Sequence, residues 1–293
     1  KDFIKRMEAV GIQCRVFNPM HPFLNIFMNN RDHRKITVID GKVGFTGGYN
    51  LAEEYFNRTH PYGYWKDTGI MLTGDAVRNL TVMFLEMWNA VRKTDMDYDK
   101  YLPKVEYTAK EQGFVQPYAD SPLDHETTGE NVYMNLIKNA KHEIFFTTPY
   151  LIITDEMSRE LRMAARRGVD VRIVTPGIPD KKMVYQMTRS YYSELARNGV
   201  RIYEYTPGFI HAKQCVCDGE SATVGTINMD YRSLYLHFEN GVLMYHYDAV
   251  AEIRKDFEDI FAASTEVTEK YNGRKSVPAR MGRGVLRLFS PLV

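Results

Sequence analysis

The sequence predicts an α/β fold assembled from two copies of one repeat, each a mixed sheet flanked by helices. Three observations predict it. Apolar periods of helix and strand type alternate along the chain, the mark of helices layered on a sheet. The stretches HRKITVIDGKVGFTGGYN, residues 33–50, and HAKQCVCDGESATVGTIN, residues 211–228, carry His, Lys, Asp, Gly and Asn at the same intervals. Each is followed by an apolar strand that a carboxylate opens, DTGIML at 67–72 and ENGVLM at 239–244.

The elements follow in order. Residues 1–10 read as a helix stopped by Gly11 and align with residues 189–198, stopped by Gly199. GIQCRVF at 11–17 then matches GVRIYEY at 199–205, so both are read as strands. The motif comes 22 residues after Gly11 but 12 after Gly199, which puts a loop insertion in the first copy. Residues 75–93 form an amphipathic helix, and the polar run 94–113 is the linker between an expected first unit, 1–105, and a second, 106–293. In the second unit, Val132, Leu136, Ile137 and Ala140 share one helical face, and 143–149 is a buried strand. A helix over 155–167 ends at Gly168, VDVRIVT at 169–175 is the next strand, and 181–198 is helical with Val184, Met187, Tyr191 and Leu195 inward. Nothing in the first copy matches residues 130–188, so the first repeat is expected to be the remainder of a longer one, truncated at its amino terminus. Beyond Lys270 a basic tail with Val285, Leu286, Leu288, Phe289 and Leu292 fits interfacial membrane contact or a helix docked on its own domain.

Composition narrows the function. The chain has 293 residues, 44% hydrophobic and 26% charged, with a net charge of +1, so no broad cationic field favours nucleic acid and any anion site is local. Three cysteines give no disulfide framework, and Cys215 and Cys217, two apart in a strand, have no second pair to complete a zinc site. No apolar run approaches the ~20 residues that cross a bilayer.

Side chains two apart share one face of a strand, so His33 and Lys35 point the same way, as do His211 and Lys213. Asp40 and Asp218 each begin an Asp-Gly pair, a hairpin signal that folds the chain back and returns Asn50 and Asn228 to the histidines. A two-residue turn puts Lys35 opposite Thr46, His33 opposite Gly48, and Thr226 opposite His211. The doubled set of imidazole, ammonium and amide, without a metal-binding carboxylate or thiolate cluster, suits a phosphodiester. One neutral histidine attacks phosphorus, the lysine and asparagine donors hold the non-bridging oxygens, and the second histidine protonates the departing alcohol. Asp67 and Glu239 are candidates to hold each ring by its other nitrogen. His21, His60, His125, His142, His237 and His246 have no partner in the repeat and are read as structural or surface groups.

H-x-K-x4-D followed by x6-G-[GST]-x-N, in two copies, resembles the phospholipase D superfamily with its twin H-K-D motifs, over essentially the whole chain. Within it the nearest likeness is to the bacterial cardiolipin synthases, carried by TTPYLIITDEM, GVDVRIVTPGIPDKKMVYQMTRSYY, VGTINMDYRSLYLHFEN and RLFSPLV. The resemblance implies two phospholipase D-like repeats about a pseudo-twofold axis, with the site in the cleft between them. It implies phosphatidyl transfer from one phosphatidylglycerol to another through a phosphohistidine, with no metal or other cofactor and no nucleic acid. It also implies the surface of a bacterial cell membrane, on the cytoplasmic side, with the anchors absent from this chain. Carried over by position, His33 is the nucleophile and His211 the general acid, the reverse remaining open. Lys35 and Lys213 grip the phosphate with Asn50, Asn228 and Thr226, and Asp40 and Asp218 complete the catalytic motifs. Gly48 stands where many relatives have Ser, and His237 where relatives often have Asn. Hydrolysis by the same site, as in phospholipases and nucleases of the superfamily, and lipid binding without catalysis are the rival readings.

Overall fold

The computed structural model describes residues 2–19, 30–108, 112–273 and 287. The basic tail read as a membrane contact lies almost wholly outside them. After helix α1 (Asp2–Ala9), the first repeat supplies strands β1 (Ile36–Ile39), β2 (Val43–Gly47), β3 (Tyr64–Lys66) and β4 (Gly69–Thr73) and helix α2 (Ala76–Val91). The second begins with β5 (Phe114–Asp120), α3 (Thr128–Asn139), β6 (Glu143–Thr147), β7 (Leu151–Ile152) and α4 (Asp155–Arg166). It continues through β8 (Asp170–Pro176), α5 (Lys182–Ala196), β9 (Arg201–Tyr205), β10 (Gly208–Ile210), β11 (Gln214–Cys217) and β12 (Ser221–Gly225). β13 (Met229–Asp230), α6 (Tyr231–Tyr235), β14 (Glu239–Tyr245), α7 (Asp248–Ala262), β15 (Ser264–Glu266) and α8 (Thr268–Asn272) close it.

An eight-stranded mixed sheet, ordered β15-β9-β8-β6-β11-β12-β14-β5, organises the second repeat. β6, β8 and β9 run parallel, as helical crossovers require, and the hairpin β11–β12 runs antiparallel beside them. Both faces are covered, and the period of two decides which residue goes where. Ile144, Phe146, Cys215 and Cys217 face the core under α3, α4 and α5, whereas Phe145 and Val216 face the opposite one, under α7. The cysteines are free thiols packed as small apolar groups.

That second core is shared between the repeats. Leu72 of β4 and Val77, Leu80 and Met83 of α2 pack against the same cluster as Val224, Val242 and Phe257. Burying one repeat's helix on the other's sheet, beside α7, ties the two repeats together through one shared apolar cluster. The first repeat's own sheet has three strands, β1-β2-β4. Its register mirrors the second repeat: Gly47 pairs with Gly69 as Gly225 pairs with Gly241.

Two expectations fail. Residues 12–17 form no strand, although Gly11 ends α1 at φ +84° much as Gly199 ends α5 at φ +95°. β9, the aligned strand of the second repeat, hydrogen-bonds to β8 on one side, and among the described residues no strand stands in that position beside residues 12–17. The hairpin registers are also one residue off. Asp40 and Gly41 do turn with positive φ, 52° and 65°, and the Lys42 amide closes the turn on the Ile39 carbonyl. Ile39 nevertheless pairs with Val43, leaving Lys42 as an extra residue, so Ile36 and not Lys35 faces Thr46. Glu220 does the same after Asp218-Gly219, and Gln214 pairs with Val224.

Candidate active site

Each histidine is placed by the other repeat. The His211 amide donates to the Lys66 carbonyl at 2.7 Å, at the end of the parallel pairing of β10 with β3. The residue after Lys66 is Asp67, and its Oδ2 lies 2.8 Å from His211 Nδ1. Reciprocally, the His33 amide donates to the Phe238 carbonyl at 2.9 Å, and the next residue, Glu239, places both carboxylate oxygens 2.9 Å from His33 Nδ1. Two equivalent main-chain bridges thus deliver two equivalent carboxylates across the junction, the signature of a pseudo-twofold axis between them.

Both imidazoles line one cavity of about 610 Å3, with Asn50, Tyr55, Tyr150 and Asn228 also on its wall. Lys35 Nζ donates to the His33 carbonyl at 2.6 Å, and Lys213 Nζ donates to the His211 carbonyl. Burial pushes Lys35 down to about 8, against the pull of Glu239, Asp67 and Asp32, and pushes Lys213 down to about 7. Burial works against the charge on Glu239 as well, but the His33 charge and hydrogen bonds to its oxygens outweigh it and hold the carboxyl well below its usual range. Asp67 is held low in the same way, by His211 and Lys213.

The two rings differ in setting. His211 is buried among Tyr55, Trp65 and Phe209, with ring centroids 5.2, 5.1 and 5.9 Å away. Burial first, and then the Lys213 charge, push it down to about 3, so it rests as the neutral imidazole. An Nδ1–H given to Asp67 leaves Nε2 as a lone pair. Lys213, 2.8 Å from that same Nδ1, has no acceptor there and bonds the carbonyl instead. His33 is more open, its side chain 25% exposed.

The other expected residues divide. Asn50 reaches the cavity and donates to the Tyr55 hydroxyl at 2.7 Å, and Asn228 reaches it with Oδ1 lacking any hydrogen bond. Thr226 was expected to contact substrate, but it is fully buried and its hydroxyl donates to Glu239 Oε2, so it supports the carboxylate. Gly48, its counterpart, has no hydroxyl to give, and a Cβ there would stand 2.2 Å from Asp67 Oδ1. Asp40 and Asp218 were expected to be catalytic, yet both sit in hairpin turns at the far ends of their strands from the histidines. Asp218 accepts main-chain hydrogens from Lys141, His142 and Glu143 at 2.8–2.9 Å, and Asp40 is exposed.

One residue read as bland belongs to the site. The His237 ring lies 5.6 Å from that of His33, its Nδ1 is 3.6 Å from Glu239 Oε1, and neither ring nitrogen makes a hydrogen bond. It stands two residues before Glu239, as Trp65 stands two before Asp67, and each ring packs on the histidine from across the junction. That shared offset was the signal available in the sequence. His33, His237 and Glu239 also bring three donor atoms within 4.8 Å of one another, close enough to hold a metal ion. Glu239 already serves His33 there, and the lysine and amide donors around the cavity suit an anion better than a cation.

Comparison with known proteins agrees with this geometry. Residues 133–261 match the family model described as cardiolipin synthase, PLD-like domain. The chain is 46% identical over 292 residues to an uncharacterized protein of Streptococcus mutans, covering 100% of this chain and 63% of that one. It is 37% identical over 292 residues to a cardiolipin synthase of Geobacillus kaustophilus, covering 99% of this chain and 58% of that one. The chain therefore spans about three fifths of the length of these relatives. Among solved structures, phosphatidylserine synthase of Haemophilus influenzae superposes with a TM-score of 0.66 at 16% identity, over 89% of this chain and 70% of that one. No helix among the described residues is long and apolar enough to cross a membrane.

Proposed function

The chain belongs to the phospholipase D superfamily, and from that premise we propose that it carries the transfer site of a cardiolipin synthase acting at the bacterial cell membrane on phosphatidylglycerol. The observation that carries the reading is the pair of imidazoles on one cavity, each held through Nδ1 by a buried carboxylate of the other repeat. That leaves Nε2 of each ring for a reacting group, which is what a displacement with one attacking and one proton-donating imidazole needs.

The difference between the rings favours the reverse of the assignment that the motif suggests. His211, neutral in its aromatic pocket, attacks phosphorus of the donor lipid through Nε2. His33, held through Nδ1 by Glu239, gives a proton to the departing glycerol oxygen. Lys35, Lys213, Asn50 and Asn228 neutralise the non-bridging oxygens as negative charge builds on them. The hydroxyl of a second phosphatidylglycerol then returns a proton to His33, its oxygen attacks the phosphoryl group, and His211 leaves. Two phosphatidylglycerols give one cardiolipin and one glycerol.

A leaving group that needs no proton separates the roles. With a phosphatidyl ester of p-nitrophenol, His33→Ala is expected to release p-nitrophenol in its first turnover within about tenfold of the wild-type rate, because general acid catalysis is dispensable for that step. His211→Ala is expected to abolish release. If the two variants exchange behaviours, the assignment is reversed. Normal turnover of phosphatidylglycerol in either variant rules out the two-histidine mechanism.

A further inference from the structure

Transfer between two phosphatidylglycerols sets a problem that hydrolysis does not. The acceptor carries its own phosphodiester, and only a three-carbon glycerol bridge separates that phosphorus from the attacking hydroxyl. Two anions must therefore share the cavity, and the lysines and asparagines of the paired motifs are engaged with the first. The second needs a cation of its own.

Arg31, Lys181 and Arg232 all reach the cavity wall, beside Asp180 and Asp230; Arg31 donates to the Asn18 carbonyl and the Lys181 ammonium lies 5.8 Å from the Tyr150 ring, which leaves Arg232. Arg232, on α6, lines the cavity half-buried, and its guanidinium makes no hydrogen bond or ion pair among the described residues. The Arg232 carbonyl accepts from the amides of Leu236 and His237, so the turn that carries the arginine also brings His237 to the same wall, with both ring nitrogens free of hydrogen bonds. The feature breaks the twofold relation. Arg232 follows Asn228 by four positions, and at that distance after Asn50 the first repeat has Glu54, which repels an anion. A guanidinium offers two parallel donors to a phosphodiester, a match no lysine provides.

Resting on the transferase reading above, we propose that Arg232, with His237 beside it, binds the phosphodiester of the acceptor lipid and so selects an anionic lipid alcohol over water or a neutral alcohol. The test runs the full-length protein in detergent micelles of phosphatidylglycerol with ethanol as a competing acceptor. Cardiolipin and phosphatidylethanol arise from the same phosphohistidine, so their ratio is blind to the donor step and to the fraction of folded protein. Arg232→Gln is expected to lower the ratio of cardiolipin to phosphatidylethanol about tenfold or more, the effect of losing one charged hydrogen-bonding partner, and Arg232→Lys to restore part of it. Should the glutamine variant give no product, the lysine variant and His237→Asn carry the same measurement. An unchanged ratio overturns the subsite alone. Absence of cardiolipin from the wild-type reaction overturns the transferase reading, and this inference with it.

Discussion

Two lysines and two histidines are buried together with two carboxylates, Asp67 and Glu239, that already serve the histidines. Burial explains why Lys35 and Lys213 rest at about 8 and 7, far below a free lysine, and for Lys213 the Lys35 charge adds to it. Each ammonium is charged below its pKa and neutral above it, while the donor phosphodiester stays anionic throughout. The value of kcat/KM for phosphatidylglycerol is therefore expected to fall as pH rises through 7 to 8, because kcat/KM reports the free enzyme. A pH profile flat to about 9 would contradict this. At this scale the sequence told a good deal: spacing alone singled out His33, Lys35, Asn50, His211, Lys213 and Asn228. It could not tell that Thr226 spends its hydroxyl on Glu239, since only the packed structure decides which of several polar groups reaches a hydroxyl first.

Elements were legible where burial is nearly complete. The helices α3, α4 and α5 and the strands β6, β8 and β9 fall where the apolar periods put them, because each has one face or two that must be covered. Register was not legible, since the extra residues Lys42 and Glu220 differ from their neighbours in no side-chain property that a bulge demands. The strand expected over residues 11–17 fails for a related reason: strand propensity describes a fit to neighbours, and among the described residues no strand pairs with these. The two motif aspartates separate at this scale. Asp218 ties three amides at the start of β6, so Asp218→Ala is expected to cost about 1–3 kcal/mol in chemical denaturation, whereas Asp40→Ala, at an exposed turn, is expected to stay within about 0.5 kcal/mol. Turnover per folded molecule is expected to be retained in both. Equal destabilisation would mean that the contacts at Asp218 contribute nothing.

Across the whole molecule the decisive fact is that control of each imidazole is crossed. No pattern along the chain distinguishes a carboxylate that serves its own repeat from one that serves its neighbour, because the choice is made where β3 meets β10 and where Asp32 meets Phe238. The crossing has a measurable form. Asp67→Asn, though in the first repeat, is expected to reproduce loss of His211 and slow p-nitrophenol release about a hundredfold or more. Glu239→Gln is expected to follow His33, sparing that release while slowing phosphatidylglycerol turnover to a similar degree. Defects that follow the repeat instead of the contact would refute the arrangement. An exchange of carboxylates about a dyad could be made equally well by two identical, unlinked polypeptides, but a strict homodimer must give both halves the same sequence. One covalent chain is released from that rule. Substitutions can then accumulate on a single side, so a Gly48 can face a Thr226, a Glu54 an Arg232 and a Trp65 a His237, and the enzyme gains a left and a right.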